Sequence, residues 1–127
     1  PFIQCAQLVG PNGGIVHVTA QVDNGAMANC ISLERWSTYG HCLSPLGPST
    51  QALGVANGGR VWPEGRWYGA VAVGGVQAMG WFEVFQSNGA FDVILGKPWL
   101  HSVRAIHSYE TDEISINAAG QRAILKN

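Results

Sequence analysis

Ile15-Val16-His17-Val18-Thr19-Ala20-Gln21-Val22-Asp23-Asn24-Gly25-Ala26-Met27 is the stretch on which the reading of this chain turns. Val16, Val18, Ala20 and Val22 alternate with His17, Thr19 and Gln21, the period-two pattern of a strand with one buried face. That strand runs straight into an acid followed by small residues, Asp23-Asn24-Gly25-Ala26, and Met27–Ile31 then resumes an extended pattern. Upstream, Pro11-Asn12-Gly13-Gly14 reads as a turn joining an N-terminal extended stretch to this strand.

A second fixed point lies far downstream, at Asp92-Val93-Ile94-Leu95-Gly96-Lys97-Pro98-Trp99-Leu100. Phe91–Leu95 reads as a compact apolar strand ending at Gly96, and Pro98 suits the first turn of a short helix reaching about Val103. Between the two points, Ser32 can cap a helix over Leu33–Tyr39, with Glu34 in its first turn and Gly40 as its stop. Ser44–Ser49 is a Pro-bearing loop. Asn57-Gly58-Gly59, Pro63-Glu64-Gly65, Gly74-Gly75 and Ser87-Asn88-Gly89 then mark turns between strands rich in Val, Trp, Phe and Tyr. A last hairpin pairs Ala105–Tyr109 with Glu113–Asn117 about Thr111-Asp112. Residues 118–127 give no firm signal and are read as a tail or an interface segment. The sum is an all-β subunit with one or two short helices.

At 127 residues, 46% of them hydrophobic, the chain is sized for one domain over 1–127, with a core over about 1–117. Its formal net charge is −1 and its Lys and Arg residues are scattered, which argues against nucleic acid as a partner. No apolar run approaches the roughly 18 residues that span a bilayer, and Pro1-Phe2-Ile3-Gln4 lacks the basic start of a secretion signal. A soluble, cytoplasmic protein without membrane association is expected. Lacking an initiator Met, the chain reads as an expression fragment or a product cut from a longer polyprotein. Cys5, Cys30 and Cys42 contain no CxxC pair, so they are expected to be reduced, small core residues, with neither metal nor cofactor. His17, His41, His101 and His107 are dispersed, and no Ser or Cys sits in a GxSxG context, which argues against a triad hydrolase. Trp62, Trp67, Trp81 and Trp99 are expected in core packing or pocket walls.

Val22-Asp23-Asn24-Gly25-Ala26-Met27, taken with the Val93-Ile94-Leu95-Gly96 segment and its Pro-started helix, resembles the retropepsins of retroviruses and gypsy-class retrotransposons. The likeness spans roughly Val16 to Ile116 and is closest to fungal retrotransposon proteases. It implies a retropepsin-like, closed barrel-like subunit that works as a homodimer. Taken alone, Asp-Asn-Gly is also ordinary hairpin chemistry; the downstream segment at this spacing is what favours the resemblance.

Peptide hydrolysis by this route needs two carboxyl groups sharing a proton and a water: one activates the water, the other protonates the substrate carbonyl. The chain contains a single Asp-x-Gly. The resemblance therefore implies that Asp23 is catalytic and that its equal comes from a second copy across a two-fold axis. Asn24, Gly25 and Ala26 form the active-site loop. Gly25 and Ala26 are small enough for close backbone approach. Asn24 departs from the family's usual Thr or Ser, whose hydroxyl bonds across the dimer; an amide is also both donor and acceptor.

The family closes a hairpin flap over substrate, and Leu53–Arg60 is the candidate, with Val55, Ala56, Asn57, Gly58 and Gly59 as its substrate-binding tip. An extended peptide would add there as a strand. Ala28, Ile94 and Val55 are expected as pocket walls, and Val93, Leu95 and Gly96 as the structural motif beneath Asp23. The function implied is aspartic endopeptidase, processing its own polyprotein or a host polypeptide. The alternative is the same fold retained as a weak or inactive dimerisation or peptide-binding module.

Overall fold

The computed structural model describes residues 2–50, 52–54 and 58–127. Strands β1 (Phe2–Val9) and β2 (Ile15–Val22) form the first hairpin, paired from Phe2↔Val22 to Val9↔Ile15. Val18, Ala20 and Val22 are buried while His17 and Thr19 are exposed, so the alternation read from sequence is the alternation of the barrel wall. β3 (Asn29–Ser32) leads directly into helix α1 (Leu33–Tyr39), where the Ser32 side chain accepts from Arg35 N. Gly40 is not a left-handed stop: its φ is −58°, and the chain passes on into a 3₁₀ turn over Gly40–Cys42.

Two short strands, β4 (Leu53–Gly54) and β5 (Arg60–Val61), pair with each other. The long hairpin β6 (Gly65–Val73) and β7 (Val76–Phe85) turns at Gly74-Gly75. β8 covers only Val93–Leu95, shorter than the run from Phe91, and α2 (Lys97–Ser102) follows with Pro98 in its first turn.

The six longer-range strands close into a barrel in the order β1-β2-β8-β3-β7-β6, with β6 returning to β1. β8 lies parallel to β2 and antiparallel to β3. It therefore sits between the two strands that flank Asp23-Asn24-Gly25-Ala26, which brings the two distant sequence segments together. Leu8, Ile31, Val71, Phe82, Val93 and Leu95 fill the interior and are fully enclosed. Such close-packed apolar burial supplies most of the driving force for folding.

β9 (Ile106–Ser108), β10 (Glu113–Ala118) and β11 (Gln121–Lys126) form a separate three-stranded sheet. The segment after Asn117 is therefore folded rather than frayed: Leu125 is buried opposite Ile114. Its turn is made by Ala119 and Gly120, with φ of 50° and 81°. Positive φ at both central positions is a hairpin geometry usually signalled by Asn-Gly or Asp-Gly, and an Ala there hides it from a sequence reading.

Two further expectations are corrected. Only Cys30 is buried; Cys5 points outward on the wet face of β1, and Cys42 is exposed with Sγ 3.4 Å from His41 Nε2. Trp67 and Trp99 are enclosed, but Trp62 and Trp81 are not. Trp81 instead stacks on Tyr68 at 4.8 Å between ring centres and carries the Arg66 guanidinium 3.9 Å above its ring, a cation–π arrangement suited to a half-wet sheet face. Among the described residues, no helix is long and apolar enough to cross a membrane.

Candidate active site

Asp23 stands exposed where β2 ends. Its backbone N–H donates to Leu95 O at 3.0 Å, carrying the β2–β8 ladder one step further. Ala26 N then donates to Asp23 O at 3.2 Å and closes the turn. Within it, Gly25 N donates to Asp23 Oδ1 at 2.8 Å. A Cβ on Gly25 would stand 3.2 Å from that same oxygen, a tight contact that a side chain there would relieve only by shifting the carboxylate a few tenths of an ångström. Exposed Asn24 and half-buried Ala26 complete the loop.

The far side of the loop is fastened to the start of α2. Lys97 N donates to Ala26 O at 2.8 Å. Gly96 lies so close beneath that a Cβ would meet Ala28 O at 2.5 Å and Ala26 O at 2.8 Å. Distances that short are not tolerated, so any side chain at Gly96 displaces the loop that carries Asp23. Val93 and Leu95 are buried in β8, paired with β2.

Asn29 is the residue that sequence reasoning missed. It is 1% exposed, and its Oδ1 accepts from both Gly96 N at 3.0 Å and Trp99 N at 3.2 Å. Its Nδ2 donates to Trp81 O at 3.1 Å. One carboxamide thus ties the strand leaving the loop to the Gly96 turn, to α2 and to β7. Trp99 is held from its other end as well, Nε1 donating to Val71 O at 3.2 Å. The only sequence signal was a polar residue inside the extended run Met27–Ile31, and its partners lie more than fifty residues away.

A cleft of about 270 Å³ opens beside the loop, lined by Phe2, Gln21, Val22, Asp23, Asn24, His107 and Ile114. Ala28 and Ile94, expected as pocket walls, are half-buried and do not line it. Ile94 lies level with Gln21 on one side and Cys30 on the other, within the sheet that supports the loop. The flap candidate has a paired base, Leu53↔Val61 and Gly54↔Arg60. Its Val55, Ala56 and Asn57 lie outside the described residues; Gly58, at φ 83°, and Gly59 are exposed.

Asp92 pairs with Arg35, Oδ1 to Nε 3.5 Å. Cys30 is an unreactive thiol, pushed up to about 12 by burial and then by the Glu83 charge. Among the described residues, no three His, Cys, Asp or Glu side chains converge as a metal site would need.

No protein-family model matches the sequence, and comparison with curated proteins finds no match. Among solved structures, the chain is similar to the retroviral protease-like domain of Ddi1 from Leishmania major, with a TM-score of 0.60 and 20% identity over 91% of this chain and 88% of that one. At that identity the likeness concerns the fold. The chain has a retroviral protease-like fold: a closed six-stranded barrel with two short helices.

Proposed function

We propose that the chain is one subunit of a homodimeric aspartic endopeptidase, in which Asp23 and the Asp23 of a second copy hold one water between them. The observation that carries this reading is the treatment of Asp23. Its backbone is fixed by bonds to Leu95 and Ala26 and its Oδ1 accepts from Gly25 N within its own turn, while the carboxylate stays exposed at the end of a buried strand. A carboxyl serving only to fasten a loop would be expected to accept from donors beyond its own turn, as Glu34 does from Ser87 and Gly89.

In the proposed reaction one carboxylate takes a proton from the water as the oxygen attacks the peptide carbonyl, and the other carboxyl gives its proton to the carbonyl oxygen. Collapse of the tetrahedral diol then expels the amine, which takes the proton first removed from the water, while one diol hydroxyl returns its proton to the other carboxylate. Positioning by a rigid loop supports this chemistry, because small misplacements of a catalytic group are costly. Substrates are extended polypeptides, added as a strand beneath the hairpin that β4 and β5 begin. We further place the protein with gypsy-class retrotransposon proteases, cutting its own polyprotein in the cytoplasm; the motif residues Asp23-Asn24-Gly25-Ala26 and Val93-Ile94-Leu95-Gly96 support that narrower reading.

Incubation with an unfolded polypeptide at mildly acid pH, beside an Asp23→Asn variant, tests the proposal. Cleavage by the parent chain alone, with a bell-shaped pH profile, is the expected result. Equal cleavage by both removes Asp23 from the mechanism, and a stable dimer with no cleavage in either leaves a peptide-binding or dimerisation module.

A further inference from the structure

The loop that carries Asp23 is flanked by a knob and a hole. The knob is Met27, 76% exposed although it is a large apolar side chain. The residues on either side of it are fastened: Ala26 O accepts from Lys97 N at 2.8 Å, and Ala28 O lies against the Cα of Gly96, where an added Cβ would meet it at 2.5 Å. The exposed thioether therefore stands on a fixed backbone. The hole is the cleft of about 270 Å³ that opens beside Asp23 and Asn24. Three of its walls, Phe2, Val22 and Ile114, are apolar members of the core. A cavity of about 150 Å³ accommodates a benzene ring, so this one has room for an unbranched side chain of four heavy atoms.

We propose that Met27 of each subunit fills the cleft beside Asp23 of a second copy, so that two reciprocal apolar contacts close the dimer on either side of the paired acids. The inference rests on the homodimer reading above and names the surface that makes the dimer. Sheet order supplies the geometry. β2, which delivers Asp23, has β1 on one side and β8 on the other. The cleft lies on the β1 side, where Phe2 pairs with Val22, and Met27 on the β8 side, where Lys97 at the start of α2 holds the preceding residue. A two-fold axis at Asp23 exchanges those sides, bringing each Met27 to the flank on which the other subunit's cleft opens. A knob and a hole on one and the same side would each face its own kind instead. Methionine suits the task, being unbranched, polarisable and able to fill irregular apolar gaps. Its removal from water against Phe2, Val22 and Ile114 favours association. Because Met27 and Asp23 share one loop, seating the first also steadies the second, which makes Met27 a positioning residue. An apolar side chain of the substrate is the competing occupant of the cleft.

Sedimentation of the full chain, together with isotope-filtered NMR on dimers mixed from labelled and unlabelled copies, tests this. The Met27 methyl of a labelled copy should show an NOE to Phe2 or Ile114 of an unlabelled one. Met27→Ala should weaken the dimer roughly a hundredfold or more, as expected for two large apolar side chains losing their burial. The melting temperature of the dilute monomer should not change, because Met27 is exposed there. Met27→Leu should restore most of the lost affinity. Cleavage by Met27→Ala should fall in dilute solution and return to the parent's rate per dimer at high protein concentration, which loss of a group acting in the chemistry would not allow. A dimeric parent without the NOE, or a Met27→Ala dimer as tight as the parent's, overturns the contact and leaves the homodimer reading in place. NOEs from Phe2 and Ile114 to an added peptide substrate would give the cleft to the substrate and overturn it equally. A parent chain that stays monomeric at every concentration removes the homodimer reading and the contact together.

Discussion

Asp23, at the end of β2, and Glu34, in the first turn of α1, are both exposed acids, and the fold treats them in opposite ways. Glu34 is saturated: Oε1 accepts from Ser87 N at 2.8 Å, and Oε2 from Ser87 Oγ at 2.9 Å and Gly89 N at 3.3 Å. Those donors, the Ser87 backbone N–H foremost, hold its carboxyl down at about 2. Among the described residues, the Asp23 carboxylate has a donor only from its own turn, Gly25 N. The contrast separates an acid that fastens a loop from one whose loop is fastened for it. In the first case the carboxylate is the staple, joining α1 to the Ser87-Asn88-Gly89 turn. In the second the stapling is done by Leu95, Lys97 and Asn29, and the carboxylate remains available.

Exchanging each acid for its amide breaks the comparison most sharply. Asp23→Asn should abolish proteolysis, a loss on the order of a thousandfold or more as expected for removing a general acid–base group, with the melting temperature almost unchanged. Glu34→Gln should leave cleavage of the same substrate intact. Comparable loss of turnover in both would erase the distinction.

The stapling itself is the next target. Asn29→Leu removes three hydrogen bonds, strands the buried Gly96 N and Trp99 N, and takes a donor from the part-buried Trp81 O. Denaturant unfolding should register a loss of about 3 kcal/mol or more, at about 1 kcal/mol or more for each buried group left unpaired. A value within experimental error of the parent would mean that water enters and replaces the amide. Gly96→Ala should cost less, about 1–3 kcal/mol, as the new methyl pushes on the Ala26 and Ala28 carbonyls. Its signature is a fall in activity larger than the fall in stability accounts for, since the loop carrying Asp23 is what moves.

The smallest effect belongs to Glu34 in acid. A carboxyl whose folded value lies near 2 against an ordinary 4.5 contributes stability that is fully present above pH 4.5 and is lost as pH falls towards 2. Thermal unfolding of the parent should therefore decline through that window. In Glu34→Gln this part of the decline should be missing, and identical acid limbs for the two proteins would show that the Ser87 and Gly89 contacts do not hold in solution.

Much of this was legible in the sequence because it is local. The alternation of Val16 to Val22 placed the wall of the barrel, Ser32 and Pro98 marked the two helix starts, and Asp-Asn-Gly-Ala gave the loop and its acid. Each rests on a period or a turn preference expressed over a few residues. The failures were of another kind. Cys5 follows the outward phase of β1, Trp81 pairs across to Tyr68, and Ala119 takes a backbone conformation that its residue type does not announce.

Chain order and residue type alone determined an all-β fold and a single Asp-x-Gly within these 127 residues. Only the tertiary structure decided that β8 would slot between β2 and β3, that Asn29 would be the buried clamp, and that His107 would border the cleft beside Asp23. These juxtapositions join residues from about fifty to more than eighty positions apart, and no local pattern encodes them. They follow from which apolar faces remain to be covered and which buried polar groups must find a partner once the barrel closes.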